Sequence, residues 1–185
     1  GYLFLLMEFV ELGDLDEKYW ERFAADLSDM HKADTESFIP KNDFQNGKKF
    51  GFLQDNYIGK TKQINTPKET WLDFFRENRL ENQFKLPEKH FSSDDFKKIN
   101  KLLDNLSSFL IEPEKPTLLH GDLWGGNVMC NKKSQAMLID PACYVGHPEA
   151  DIAMTELFGG FSGKFYDAYK QTGLIQPEYS EHRWP

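Results

Sequence analysis

The chain has 185 residues, 39% of them hydrophobic, 15% aromatic and 28% charged, which excludes a disordered segment and suits one domain with a sizeable core. Its 22 basic and 30 acidic residues leave a net charge of −8, excluding the broad basic footprint that nonspecific binding to nucleic acid or an anionic membrane needs. Two cysteines, Cys130 and Cys143, stand outside any CxxC or Cys/His array, which excludes a disulfide framework and suits a reducing, cytoplasmic protein.

In chain order, Leu3 to Val10 is an apolar run that predicts one buried strand, closed by the turn Glu11-Leu12-Gly13-Asp14. The run lacks the basic start of a signal sequence and is followed by acidic residues, and nothing approaches the roughly 18 apolar residues of a membrane span. Trp20, Phe23, Ala24, Leu27 and Met30 recur at helical spacing and predict a helix over 16–32, capped by Asp14 or Asp16. His31, near its end, is read as a C-terminal cap or core-edge residue. Residues 38–65 have no clean period, and Gly47, Gly51 and Gly59 interrupt them; they predict an ordered loop region. Thr70 caps a helix to about Gln83 with Trp71, Phe74, Phe75 and Leu80 inward. Ser92 with Asp95 forms a capping-box start, and Phe96, Ile99, Leu102, Leu103, Leu106 and Leu110 carry that helix towards Pro113. Residues 149–157 and 164–171 are helical again. The chain begins inside an apolar run and ends on His182-Arg183-Trp184-Pro185, from which truncation at both ends is expected.

The chemistry concentrates in His120-Gly121-Asp122-Leu123-Trp124-Gly125-Gly126-Asn127, followed by Leu138-Ile139-Asp140. Residues 128–130 and 136–139 are strand-like, with the turn Asn131-Lys132-Lys133-Ser134 between them. Folding that hairpin brings Asn127 and Asp140 side by side at its open end. Gly125 and Gly126 allow the loop that returns Asn127 towards Asp122. Asn127 and Asp140 then offer oxygens to a hard cation such as Mg²⁺, leaving Asp122 to accept the proton of a substrate hydroxyl during phosphoryl transfer. A lone Asp or Asn at a turn usually only caps backbone groups; three at this spacing match the catalytic loop of the protein-kinase-like superfamily. His120 is read as shaping the loop. Asp151 is read either as an N-cap or as an acceptor for the loop's N–H groups, support in both cases.

His120-Gly121-Asp122-Leu123…Asn127 with Ile139-Asp140-Pro141 resembles the aminoglycoside phosphotransferase and choline kinase branch of that superfamily. Gly51-Phe52-Leu53-Gln54-Asp55-Asn56-Tyr57-Ile58-Gly59, Gln63, Asn65, Trp71, Phe74-Phe75, Arg79-Leu80, Gln83, Trp124 and the stretch from Asp140 through Met154 to Leu157-Phe158-Gly159-Gly160-Phe161 resemble the fructosamine kinase family over nearly the whole chain. The resemblance implies an α+β fold. Residues 1–10 would be a hinge strand and 11–185 the catalytic, C-terminal lobe of a kinase, mostly helical around a small β-hairpin, with the N-terminal lobe absent. It implies ATP- and Mg²⁺-dependent phosphorylation of a sugar hydroxyl on ketoamines in protein deglycation. Asp122 would be the base, Asn127 and Asp140 the metal ligands, and Met7, Glu8, Phe9 and Val10 the hinge whose backbone meets adenine. Trp124 is left between stacking on the sugar and core packing. The Gly-rich phosphate loop and the lysine–glutamate pair that position phosphates are missing from the chain, so negligible kinase activity is expected of it alone. A kinase for another small hydroxyl substrate, such as an aminoglycoside or choline, and a noncatalytic kinase-like binding module are the other two readings.

Overall fold

The computed structural model describes Phe4, residues 6–177 and Tyr179. Helices and small antiparallel sheets are mixed, and two apolar clusters share the core.

Helix α1 (Tyr19–Lys32) places Phe23, Ala24, Leu27 and His31 on one buried face, the 3.6-residue repeat read from the sequence. Its start lies at Lys18, without a side-chain cap. Asp16 instead accepts from the Lys18 amide at 2.9 Å and from Arg22. Helix α2 (Lys41–Gln45) and the hairpin β1 (Asn56–Ile58)–β2 (Thr61–Gln63) give regular structure to part of the region expected as loop. Thr70 does cap helix α3 (Trp71–Phe74), accepting the Asp73 amide at 3.0 Å. Between α3 and α4 (Glu81–Lys85) the chain widens into a π-helical turn, Phe75–Leu80. The capping box of Ser92 and Asp95 opens α5 (Ser93–Asp104). That helix stops at Asp104, short of the expected Pro113, and a separate 3₁₀ turn follows over Leu106–Ser108.

Strand β3 (Thr117–Leu119) pairs antiparallel with β6 (Tyr144–Gly146), and β4 (Val128–Cys130) with β5 (Ala136–Leu138). Val145 also exchanges backbone hydrogen bonds with Gly51 at 2.7 and 3.0 Å, so β6 is bonded along both edges. Helices α6 (Pro148–Phe158) and α7 (Gly163–Lys170) complete the fold, with α7 packed along α1.

One cluster joins Tyr19, Phe23, Ala24 and Leu27 to Leu123, Ile152, Phe165 and Tyr169. The other holds Phe50, Trp71, Phe74, Leu119 and Tyr144. Burial of side chains this size stabilises by about 1.5–3 kcal/mol each. Leu119 and Leu123, both fully buried, anchor in different clusters. His120, Gly121 and Asp122 therefore span the seam between them, held at each end.

The expected buried strand over 3–10 is not seen in its described part. Leu3 and Leu5 lie outside the described residues. Phe4 and residues 6–10 pair with no strand among the described residues, and Phe4, Leu6 and Phe9 are 90%, 97% and 85% exposed. The apolar run has the composition of a core strand, but no described sheet lies beside it. Past it, Leu12 bridges Asn131 and Gly13 N–H donates to Cys130 at 3.0 Å, so the following turn docks on the β4–β5 hairpin. No helix among the described residues is long and apolar enough to cross a membrane.

Candidate active site

Strand β3 delivers His120, Gly121 and Asp122 to the seam, and β6 returns alongside it. Gly121 has φ 80°, and a Cβ there would lie 2.1 Å from the Ala142 carbonyl oxygen, so only glycine lets the two segments approach this closely. Across that gap the Ala142 amide donates to the His120 carbonyl at 2.8 Å. The His120 ring closes the loop from within. Its Nδ1 takes the Asp122 amide at 3.3 Å, leaving Nε2–H to donate to the Ile139 carbonyl at 3.0 Å.

Asp122 is half-buried. Asn127 Nδ2 donates both to its carbonyl at 2.8 Å and to its carboxylate Oδ2 at 3.0 Å. The 3₁₀ turn Gly125–Asn127 makes this return possible. With both N–H bonds turned to Asp122, Asn127 Oδ1 has no hydrogen bond among the described residues.

Asp140 differs from the expected placement by one register step. Val128 opposes Leu138, and the Ile139 amide donates to the Asn127 carbonyl at 3.0 Å, so Asn127 faces Ile139. Asp140 lies just beyond, exposed, at φ 49°. A non-glycine residue in the left-handed region costs about 1–2 kcal/mol and is typical of functional loops. Among the described residues no group of three or more His, Cys, Asp or Glu side chains could hold a metal. The donors on offer are the unbonded Asn127 Oδ1 and the exposed Asp140 carboxylate. That set fits a hard cation whose other positions are taken by water and phosphate oxygens, as Mg²⁺ prefers.

Asp151, in the first turn of α6, accepts the amides of His120 at 2.8 Å and Gly121 at 2.9 Å. The N-cap of α6 is His147, whose Nδ1 accepts the Glu149 amide; of the two roles weighed for Asp151, it is the loop amides that it bonds. Trp124 is 41% exposed and lies over Gly126, where a Cβ would come within 2.2 Å of the indole; Phe158 is its aromatic neighbour at 6.4 Å. Such an exposed ring is not core packing. Met7, Glu8, Phe9 and Val10 belong to no helix or strand, and their backbone has no hydrogen bond with the described residues.

Several residues that the sequence reading named without these roles also support the site. Gln63 donates to the Ala142 carbonyl at 2.9 Å and Asn56 to that of Cys143 at 2.7 Å, pinning the segment after Asp140. Arg79, in the π-helical turn, lies 4.2 Å over Tyr144 and 4.5 Å over Phe74, and donates to Ile64 and Asn65. Burial pulls its pKa down and pushes that of Tyr144 up. His31 is neither a cap nor at the core edge but fully buried, bonded to Asp151 and Tyr169. Its position four residues after Leu27, on the apolar face, was the available signal.

A family model described as fructosamine kinase matches residues 1–184. The chloroplastic protein-ribulosamine 3-kinase of Arabidopsis thaliana is 37% identical over 188 residues, covering 99% of this chain and 53% of its own. A solved structure from Thermobifida fusca, described as a candidate fructosamine-3-kinase, superposes with a TM-score of 0.78 at 32% identity. That match covers 96% of this chain and 58% of the other. A macrolide 2'-phosphotransferase type I superposes at 0.51 with 18% identity, covering 97% and 57%, a likeness of fold alone. The chain spans about half the length of the curated relatives it matches.

Proposed function

Because this chain belongs to the fructosamine kinase family, we propose that the protein carrying it transfers the γ-phosphoryl group of ATP to a sugar hydroxyl of a ketoamine. The observation that carries this reading is Asp122, whose carboxylate is oriented by Asn127 at 3.0 Å on a loop anchored in both apolar clusters. Asp122 accepts the hydroxyl proton. The sugar oxygen then bonds to the γ-phosphorus as the bond to the ADP oxygen breaks. Holding nucleophile and base in register is the larger part of such catalysis, since the transition state leaves the protein little covalent work.

Asn127 Oδ1 and Asp140 would hold Mg²⁺, which supplies neutralisation of phosphate charge. The backbone of Met7, Glu8, Phe9 and Val10 would meet adenine, and the exposed face of Trp124 would receive the sugar ring. In this reading residues 11–185 form the catalytic, C-terminal lobe of a kinase-like fold. The phosphate-positioning loop and its lysine would be supplied by further chain, so these residues alone would not turn over. Phosphorylation of ketoamines on lysine amines would serve protein deglycation.

The test uses the full-length protein with ATP, Mg²⁺ and either a fructosyl-lysine peptide, a ribulosyl-lysine peptide or an aminoglycoside. Phosphate should enter a ketoamine peptide, and Asp122→Asn should reduce turnover by about 10²–10⁴-fold, the range of a general base. Transfer to the aminoglycoside alone would replace the substrate class. No transfer to any of the three would refute the reading.

A further inference from the structure

The contacts that begin at the loop amides do not stop at Asp151. Asp151 Oδ2 also meets His31 Nε2 at 3.2 Å, and His31 Nδ1 meets the Tyr169 hydroxyl at 2.5 Å. His31 comes from the last turn of α1, Asp151 from the first turn of α6 and Tyr169 from α7. The three side chains are between 0% and 2% exposed. At that depth a carboxylate needs hydrogen-bond donors on both oxygens, because its desolvation costs several kcal/mol. The Gly121 amide meets Oδ1, and the His120 amide and the imidazole meet Oδ2.

The direction of the chain follows from the carboxylate, which can only accept. His31 Nε2 therefore carries the proton that Asp151 accepts. In that tautomer Nδ1 accepts the Tyr169 O–H, a phenol that burial keeps protonated. Polarity therefore runs from Tyr169 to His31, from His31 to Asp151, and Asp151 in turn receives His120 and Gly121. The imidazole limits rotation of the carboxylate, and the phenol limits rotation of the imidazole.

We propose that His31 and Tyr169 are positioning residues of the phosphoryl-transfer site, acting through Asp151 to fix the peptide planes that carry Asp122. Gly121 already stands in a crowded left-handed conformation against Ala142. The orientation of its amide is thus decided by few contacts, and Asp151 supplies one of them. Displacement of a base by about 1 Å can cost 10²-fold in rate. The effect on turnover rests on the kinase reading above; the effect on the loop amides rests on geometry alone.

The experiment compares His31→Leu, His31→Gln and Tyr169→Phe in the full-length protein. Leucine fills the space and removes both hydrogen bonds. Glutamine keeps an N–H within reach of Asp151, and phenylalanine removes only the hydroxyl while keeping the ring stacked beside Phe165. With a ketoamine substrate, His31→Leu should lower kcat at least tenfold at an unchanged KM for ATP, and His31→Gln should recover to within about threefold of wild type. Tyr169→Phe should fall between them. Amide hydrogen exchange at His120 and Gly121 should quicken in the same order. Equal kcat and equal exchange in the leucine and glutamine variants would overturn the proposal. If His31→Leu does not fold, unchanged kcat and exchange in Tyr169→Phe overturn it instead. If the wild type phosphorylates no substrate, the kinase reading falls; exchange then decides alone, faster in the variants upholding the positioning role and unchanged exchange removing it.

Discussion

Replacing Gly121 with alanine should damage stability and turnover together, because the added methyl has no room and no favourable backbone. An L residue at φ 80° costs about 1–2 kcal/mol. The new Cβ would meet the Ala142 carbonyl oxygen at 2.1 Å, its carbon at 2.8 Å and Tyr144 Cε1 at 3.2 Å. The first two contacts are backbone, so no side chain can swing aside. Relief requires β3 and the segment after Asp140 to separate. That strains the Ala142-to-His120 hydrogen bond and the one from Gln63 to Ala142, each worth about 0.5–1.5 kcal/mol. Together about 3 kcal/mol is expected, or a fall in Tm of about 6–12 °C for a domain of this size. Calorimetry of the purified variant measures it, with kcat taken well below the transition. A Tm within about 1 °C of wild type would show that the close approach of these strands carries no such strain.

Three further outcomes are expected. Burial pulls His147 down from 6.5 to about 4, so the unfolded chain takes up this proton first as pH falls. Stability of up to about 3 kcal/mol should then be lost between about pH 6.5 and 4; His147→Asn keeps an N-cap and should flatten that slope, and equal slopes in urea midpoints would reject the assignment. Ser92→Ala opens the capping box of α5 and should cost about 1 kcal/mol, with Ser92→Thr recovering most of it; denaturant midpoints suffice to check it. Trp124→Ala should raise the ketoamine KM about three- to tenfold while leaving Tm unchanged, since the ring is exposed. An unchanged KM would remove Trp124 from the substrate face.

Where local rules act on neighbouring residues, the sequence was readable. The Ser92–Asp95 box, the Thr70 cap, the face of α1 and the hairpin after Asn127 all follow from spacing within one element. The errors come where an apolar pattern continues but the backbone does not. Leu106 and Leu110 extend the stripe of α5, yet the helix ends at Asp104 and Asn105 starts the next turn. The π-helical turn at 75–80 leaves the aromatic face of α3 intact, so periodicity could not reveal it. Residues 3–10 have the composition of a core strand, but composition cannot say whether a partner strand is present. At the site, the return of Asn127 to Asp122 was legible; the one-step register of Asp140 was not, because it depends on where pairing ends. The support from Gln63 and Asn56 comes from residues about 80 or more positions away from the return strand, and that from Arg79 through a ring face, so no local pattern encodes it. For His31 the apolar face of α1 signalled burial but not the partner 120 positions away.

The double bonding of β6 also sets an order of events during synthesis. Gly51 leaves the ribosome about ninety residues before Val145, the partner that bonds it in both directions. At 5–20 residues per second, roughly 5–20 s pass before the two can meet. For that interval the segment around Phe50 and Phe52 has apolar side chains and no native place to put them. Protection by a chaperone would matter most in that window, and slower translation of the stretch between them would lengthen it.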